Sequence, residues 1–120
     1  MELNGSFKTD GVLSLIGNTP LLQLSKFFAP AHFDVHAKLE MFNPGGSVKD
    51  RAALNMLKDA WNKGIINENS TIIESSSGNT GVALSQACAF LGLKFVCVVD
   101  IHSQIINRNI LKPMEEVLIW

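Results

Sequence analysis

The residue best placed to do chemistry is a lysine behind a proline and two glycines, in Asn43-Pro44-Gly45-Gly46-Ser47-Val48-Lys49-Asp50-Arg51. Pro44 fixes one φ angle and the glycines let the backbone turn tightly. Ser47 with Asp50 three residues later reads as an N-cap and capping box, so a helix should start near Val48. Lys49 then stands in the first turn, where the positive end of the helix disfavours an ammonium. A neutral amine attacks aldehydes. The same position also suits an ordinary surface lysine.

The second chemical stretch is Glu74-Ser75-Ser76-Ser77-Gly78-Asn79-Thr80-Gly81. It follows a β-rich run and opens a helix, the place where open α/β sheets collect ligands. Hydroxyls, small residues and free N–H groups at a helix start suit an anion such as a carboxylate or a phosphate. A capped helix behind a solvated serine loop would read the same way. No G-x-x-x-x-G-K-[ST] occurs, and Gly78 with Gly81 lacks the first two glycines of G-x-G-x-x-G, which argues against nucleotide binding. Gly78-Asn79-Thr80-Gly81 matches the GXXG of KH domains in form, but neither the strand before it nor the charge balance supports nucleic acid.

The elements that must position these stretches follow from periodicity. Leu21 to Leu24, after the turn signal Gly17-Asn18-Thr19-Pro20, and the alternating Val35 to Leu39 read as strands. Ala53, Leu57, Ala60 and Trp61 recur at helical spacing from Lys49 until Gly64, which suits a helix C′ position. Thr71-Ile72-Ile73 reads as a strand, Thr80 to Leu91 as a helix closed by Gly92, and Phe95 to Val99 as a further strand. That order is a βαβ unit, with parallel strands and a right-handed crossover. A helix over Ser103 to Lys112 and a strand beginning at Val117 to Trp120 complete the expectation.

Composition limits the partners. With 120 residues, 47% hydrophobic and 18% charged, the chain supports one globular core. A net charge of -1, with no basic run, gives no general attraction to nucleic acid or anionic membranes. No apolar run approaches the ~20 residues that span a bilayer, and Met1 to Asp10 lacks a signal-peptide pattern, so a cytoplasmic location is expected. Cys88 and Cys97 read as core thiols. His32 and His36, four apart, fall at a strand entry rather than on a helix, so no metal site is expected.

Taken together, Gly17-Asn18-Thr19-Pro20-Leu21, Lys38-Leu39-Glu40 to Arg51, and Glu74 to Gly81 resemble the cysteine synthase and cystathionine β-synthase family of pyridoxal-phosphate enzymes, of fold type II. The resemblance implies that Lys49 forms the Schiff base with pyridoxal 5'-phosphate and that Asn79 hydrogen-bonds the cofactor's 3′ oxygen. It also implies that Ser76, Ser77, Asn79 and Thr80 hold the carboxylate of an amino-acid substrate, Ser76 standing where most members have threonine. The implied chemistry is β-replacement on an O-activated serine, as in cysteine biosynthesis, with the freed lysine as base.

The implied fold is α/β, with the parallel-sheet, three-layer architecture of the tryptophan synthase β-like group, here as an incomplete N-terminal region. Residues 1–44 would pack on a larger domain and residues 45–120 would form a truncated small subdomain, because family members run to well over twice this length. The strands near Leu21 and Val35 would then have bare edges and apolar faces. A homodimer is implied as in the family. The pattern Cys97-Val98-Val99-Asp100 resembles the branch that uses O-phosphoserine to make diaminopropionate precursors. A non-catalytic remnant or an interaction module is the alternative to an enzyme.

Overall fold

In a computed structural model, the structure describes residues 7, 9–24, 32–76, 78–99 and 116–119. Its α/β part follows the expected order. Helix α1 (Lys49–Asn62) leads through a short connection to strand β3 (Thr71–Ser75), and helix α2 (Asn79–Leu91) joins β3 to β4 (Lys94–Val99). Strand β4 pairs in parallel with β3 on one side and with β5 (Glu116–Ile119) on the other. The expected helix over Ser103 to Lys112 lies outside the described residues, as does Trp120. Before these elements come a 3-10 turn (Gly11–Leu15) and an antiparallel pair, β1 (Leu21–Gln23) with β2 (His36–Lys38).

Packing explains why these segments hold. α1 buries Ala53 and Leu57, one turn apart, and α2 buries Ala83, Leu84, Ala87 and Cys88. The small side chains of α2 let the two helices come together. Their shared core also takes Phe95, Cys97 and Val99, alternate residues of β4, while Val96 and Val98 on its other face are only half-buried. Leu13, 1% exposed, seals the cluster from the 3-10 turn. Both helices end where expected, with Gly64 and Gly92 in the left-handed region at φ +67° and +70°.

Apolar side chains stand exposed on both sheets. Leu21 and Leu22 of β1 are 62% and 47% exposed, and Ile73 of the edge strand β3 is 66% exposed. The exposure of Leu21 and Leu22 agrees with the bare strand expected there, whereas Val35, Ala37 and Leu39 are half-buried and the exposure of Ile73 was not expected. A parallel sheet normally has both faces covered, and here the described residues put helices on one.

Candidate functional site

The turn before α1 is built from side chains reaching across the chain. Asn43 is 3% exposed. Its Oδ1 accepts from the Gly17 N–H at 2.8 Å, while Nδ2 donates to the Ser47 carbonyl at 3.0 Å and to Glu40 Oε2 at 2.8 Å. Glu40 in turn receives the side-on fork of Arg51, with Nε to Oε2 at 2.7 Å and Nη2 to Oε1 at 3.0 Å. Thr19 Oγ1 donates to the same carboxylate at 2.7 Å. One carboxylate thus ties the Gly17-to-Pro20 turn, the end of the β1–β2 pair and the first turn of α1 together.

Electrostatics follow that geometry. The Arg51 guanidinium, then the Thr19 hydroxyl, hold the Glu40 carboxyl down to about 2. Glycine is required at position 17, where φ is +92° and an added Cβ would stand 3.0 Å from Arg51 Nη1.

Lys49 is the first residue of α1 and its side chain is exposed. Its N–H donates to Ser47 Oγ at 3.2 Å, but Val48 and not Ser47 occupies the N-cap position, because the helix starts one residue later than a Ser47 cap requires. Asp50 does not complete the expected box. Its carboxylate reaches past Ser47 and accepts from the Gly45 N–H, because the Pro44-Gly45-Gly46 turn folds that amide back over the first turn. Asp50 is 1% exposed, and its Oδ1 has no hydrogen-bond partner among the described residues. Burial pushes this carboxyl up. Among the described residues, Lys49 Nζ has no hydrogen-bond or ion-pair partner.

The start of α2 is made differently. Gly78, in extended conformation, precedes the helix, and no side chain among the described residues caps its first turn. Ser76 Oγ accepts from the Gly78 N–H at 3.2 Å, which leaves the hydroxyl hydrogen to donate elsewhere. Ser76 and Thr80 are half-buried and Asn79 is exposed. Ser77 lies outside the described residues. Uncapped N–H groups, the hydroxyl-bearing Ser76 and Thr80 and the amide-bearing Asn79 all belong to one helix start, residue types that fit an anion.

Comparison with known proteins places this arrangement. Residues 12–119 match the family model described as "Pyridoxal-phosphate dependent enzyme". The chain belongs to that family. It is 46% identical over 100 residues to cysteine synthase B of Campylobacter jejuni, covering 83% of this chain and 32% of the relative. It is 45% identical over 103 residues to N-(2-amino-2-carboxyethyl)-L-glutamate synthase of Cupriavidus metallidurans, covering 86% and 30%. The crystal structure of an O-ureido-L-serine synthase superposes with a TM-score of 0.84 at 39% identity, over 91% of this chain and 34% of that one.

These relatives set the chain in the cysteine synthase-like, fold-type II group of pyridoxal-phosphate enzymes, and the expected parallel-sheet α/β class holds. The chain spans about a third of the length of the curated relatives it matches. The donor set suits such a cofactor and its substrate, since an unpartnered amine can bind an aldehyde and an uncapped helix start can bind a carboxylate. Among the described residues, no helix is long and apolar enough to cross a membrane.

Reading the sequence missed the Glu40–Arg51 pair with Thr19 and Asn43. Opposite charges eleven residues apart carry no periodic signal, because the turn at Pro44 and Gly45 is what brings them together. Four polar residues within the resembling motifs were the available hint.

Proposed function

We propose that this chain carries the lysine and substrate-carboxylate portion of a pyridoxal-phosphate-dependent enzyme that performs β-replacement on an O-activated serine. The observation that carries the reading is Lys49, an unpartnered amine on the first turn of α1, with α1 packed against α2, whose own first turn is uncapped. The names of the relatives, a cysteine synthase, an O-ureido-L-serine synthase and an N-(2-amino-2-carboxyethyl)-L-glutamate synthase, support the substrate class.

In this reading the Lys49 amine would hold the cofactor through its aldehyde and, when free, would serve as the base for the substrate's α-proton. The bound cofactor supplies an electron sink that stabilises the charge left at the α-carbon. The Asn79 amide donates to the cofactor's 3′ oxygen. Ser76, Ser77 and Thr80, with the first N–H groups of α2, hold the substrate carboxylate and so orient the α-proton toward Lys49. Residues 1–44 pack on a larger domain, and residues 45–120 form the small subdomain. The exposed Leu21, Leu22 and Ile73 support this reading, since they offer apolar surface for more polypeptide to cover. The working protein is a cytoplasmic homodimer.

The exposed apolar surface also favours a second reading, an interaction module without its own turnover. One experiment separates the two. The chain is mixed with pyridoxal phosphate, treated with borohydride and digested for mass spectrometry. The enzyme reading expects a single major adduct on the peptide containing Lys49, lost in Lys49→Ala. Labelling spread over exposed lysines such as Lys58 and Lys63 would overturn it.

A further inference from the structure

The carbonyl of Ser76 leaves the sheet one residue after β3 ends, where it has no strand partner of its own. A side chain from the neighbouring strand meets it. Cys97, in the middle strand β4 and 1% exposed, lies with Sγ 3.0 Å from the Ser76 carbonyl oxygen. The β3–β4 register pairs Cys97 with Glu74, two residues before Ser76, so the thiol projects just past the end of the β3 ladder. Burial pushes the Cys97 thiol up, which keeps its proton in place to donate.

Ser76 is therefore held twice. Its carbonyl rests on the thiol of β4, and its hydroxyl accepts from the Gly78 N–H. Both contacts fix the backbone of a residue whose remaining donor, the hydroxyl hydrogen, is free to serve a ligand. A valine at position 97 would fill a similar volume and satisfy nothing.

We propose that Cys97 is a positioning residue: its thiol, anchored in the central strand, fixes the backbone of Ser76 and so sets how the Ser76 hydroxyl is presented to a substrate carboxylate. The inference rests on the reading under Proposed function for what the donors bind. What it says about the loop is independent of that reading. A thiol is a weak donor on a rigid strand, so the loop is held without being locked.

The test uses the full chain with Cys97→Val and Cys97→Ser, and reads hydrogen exchange at the amides of residues 76–80 alongside thermal melting. Cys97→Val should leave the melting midpoint within a few degrees while exchange in this loop alone rises roughly five- to tenfold, the loss of one modest hydrogen bond. Cys97→Ser, which keeps a donor, should retain most of the protection. Three results would overturn the proposal: unchanged loop exchange in Cys97→Val, a uniform rise across the sheet in both variants, or loop amides in the parent chain that exchange as fast as an unstructured peptide. Should Cys97→Val fail to fold, Cys97→Ala carries the same test. A parent chain with a Cys97-dependent loop but no adduct at Lys49 would remove the cofactor reading and leave the positioning role standing.

Discussion

The two helix starts solve the same problem in opposite ways. Before α1, Asn43, Glu40, Thr19 and Arg51 satisfy one another across three chain segments, and the Asp50 carboxylate holds the Gly45 amide. Before α2, a glycine occupies the N-cap position, no side chain among the described residues caps the first turn, and Ser76 is tied through its carbonyl and its hydroxyl. The difference shows a division of labour. Under the proposed function, a lysine that has to meet one carbon needs a turn with no freedom, whereas donors that have to bind and release an anion need to be left unspent.

If that division is right, damage before α1 should appear as lost stability, and the largest loss should come from Asn43→Ala. This buried amide bridges Gly17, Glu40 and Ser47, and its removal leaves several buried groups unpaired, costing about 3 kcal/mol in urea unfolding. A change within about 0.5 kcal/mol would mean the turn is held by its backbone alone. Gly45→Ala should come next. The added Cβ would stand 2.4 Å from Asp50 Oδ1, with the buried carboxylate unable to retreat, so a loss of about 2 kcal/mol is expected. Gly46→Ala has open space around the new carbon and meets only the strain of φ +78°, which makes it a control for the contact itself.

The comparison also separates what could be read in the sequence from what could not. The end of α1 at Gly64, the end of α2 at Gly92 and the alternation of Phe95, Cys97 and Val99 are local patterns, and each appears where the residues put it. Lys49 at the first position of α1 follows from Pro44, Gly45 and Gly46 in the same way. The partners of Glu40 and Asp50 were not legible, because each bond joins residues that meet only after the chain has turned. The capping box failed for that reason. Val48 rather than Ser47 is the N-cap, and the Asp50 carboxylate accepts from the Gly45 amide instead. The Cys97 contact with Ser76 belongs to the same class, since two strands must first be in register.

Acid should sharpen the contrast with a smaller effect. Glu40 titrates in the folded chain at about 2 against an ordinary value of 4.5, because Arg51 and Thr19 favour its charged form. A depressed carboxyl stabilises the fold above the ordinary value, and that contribution is lost as pH falls from about 4.5 through about 2. Asp50, raised by burial, has the opposite sign and gains on protonation. Urea unfolding followed from neutral pH into this range should show stability falling, and Glu40→Gln should flatten the fall. An equally steep loss in Glu40→Gln would assign acid sensitivity to other carboxyls.

The smallest effect on stability should come from the start of α2, and there it carries the most information. Thr80 is half-buried and caps nothing, so Thr80→Ala should change unfolding by less than about 0.5 kcal/mol. Its hydroxyl is one of the few donors available to a carboxylate. Binding of O-acetyl-L-serine in the presence of pyridoxal phosphate, followed by calorimetry, should therefore weaken roughly tenfold, the value of one charge-assisted hydrogen bond. The two readouts must move apart for the division between the helix starts to hold. If Thr80→Ala instead lowered stability as much as Gly45→Ala while leaving binding untouched, the start of α2 would be scaffold like the start of α1, and the carboxylate would have to be held elsewhere.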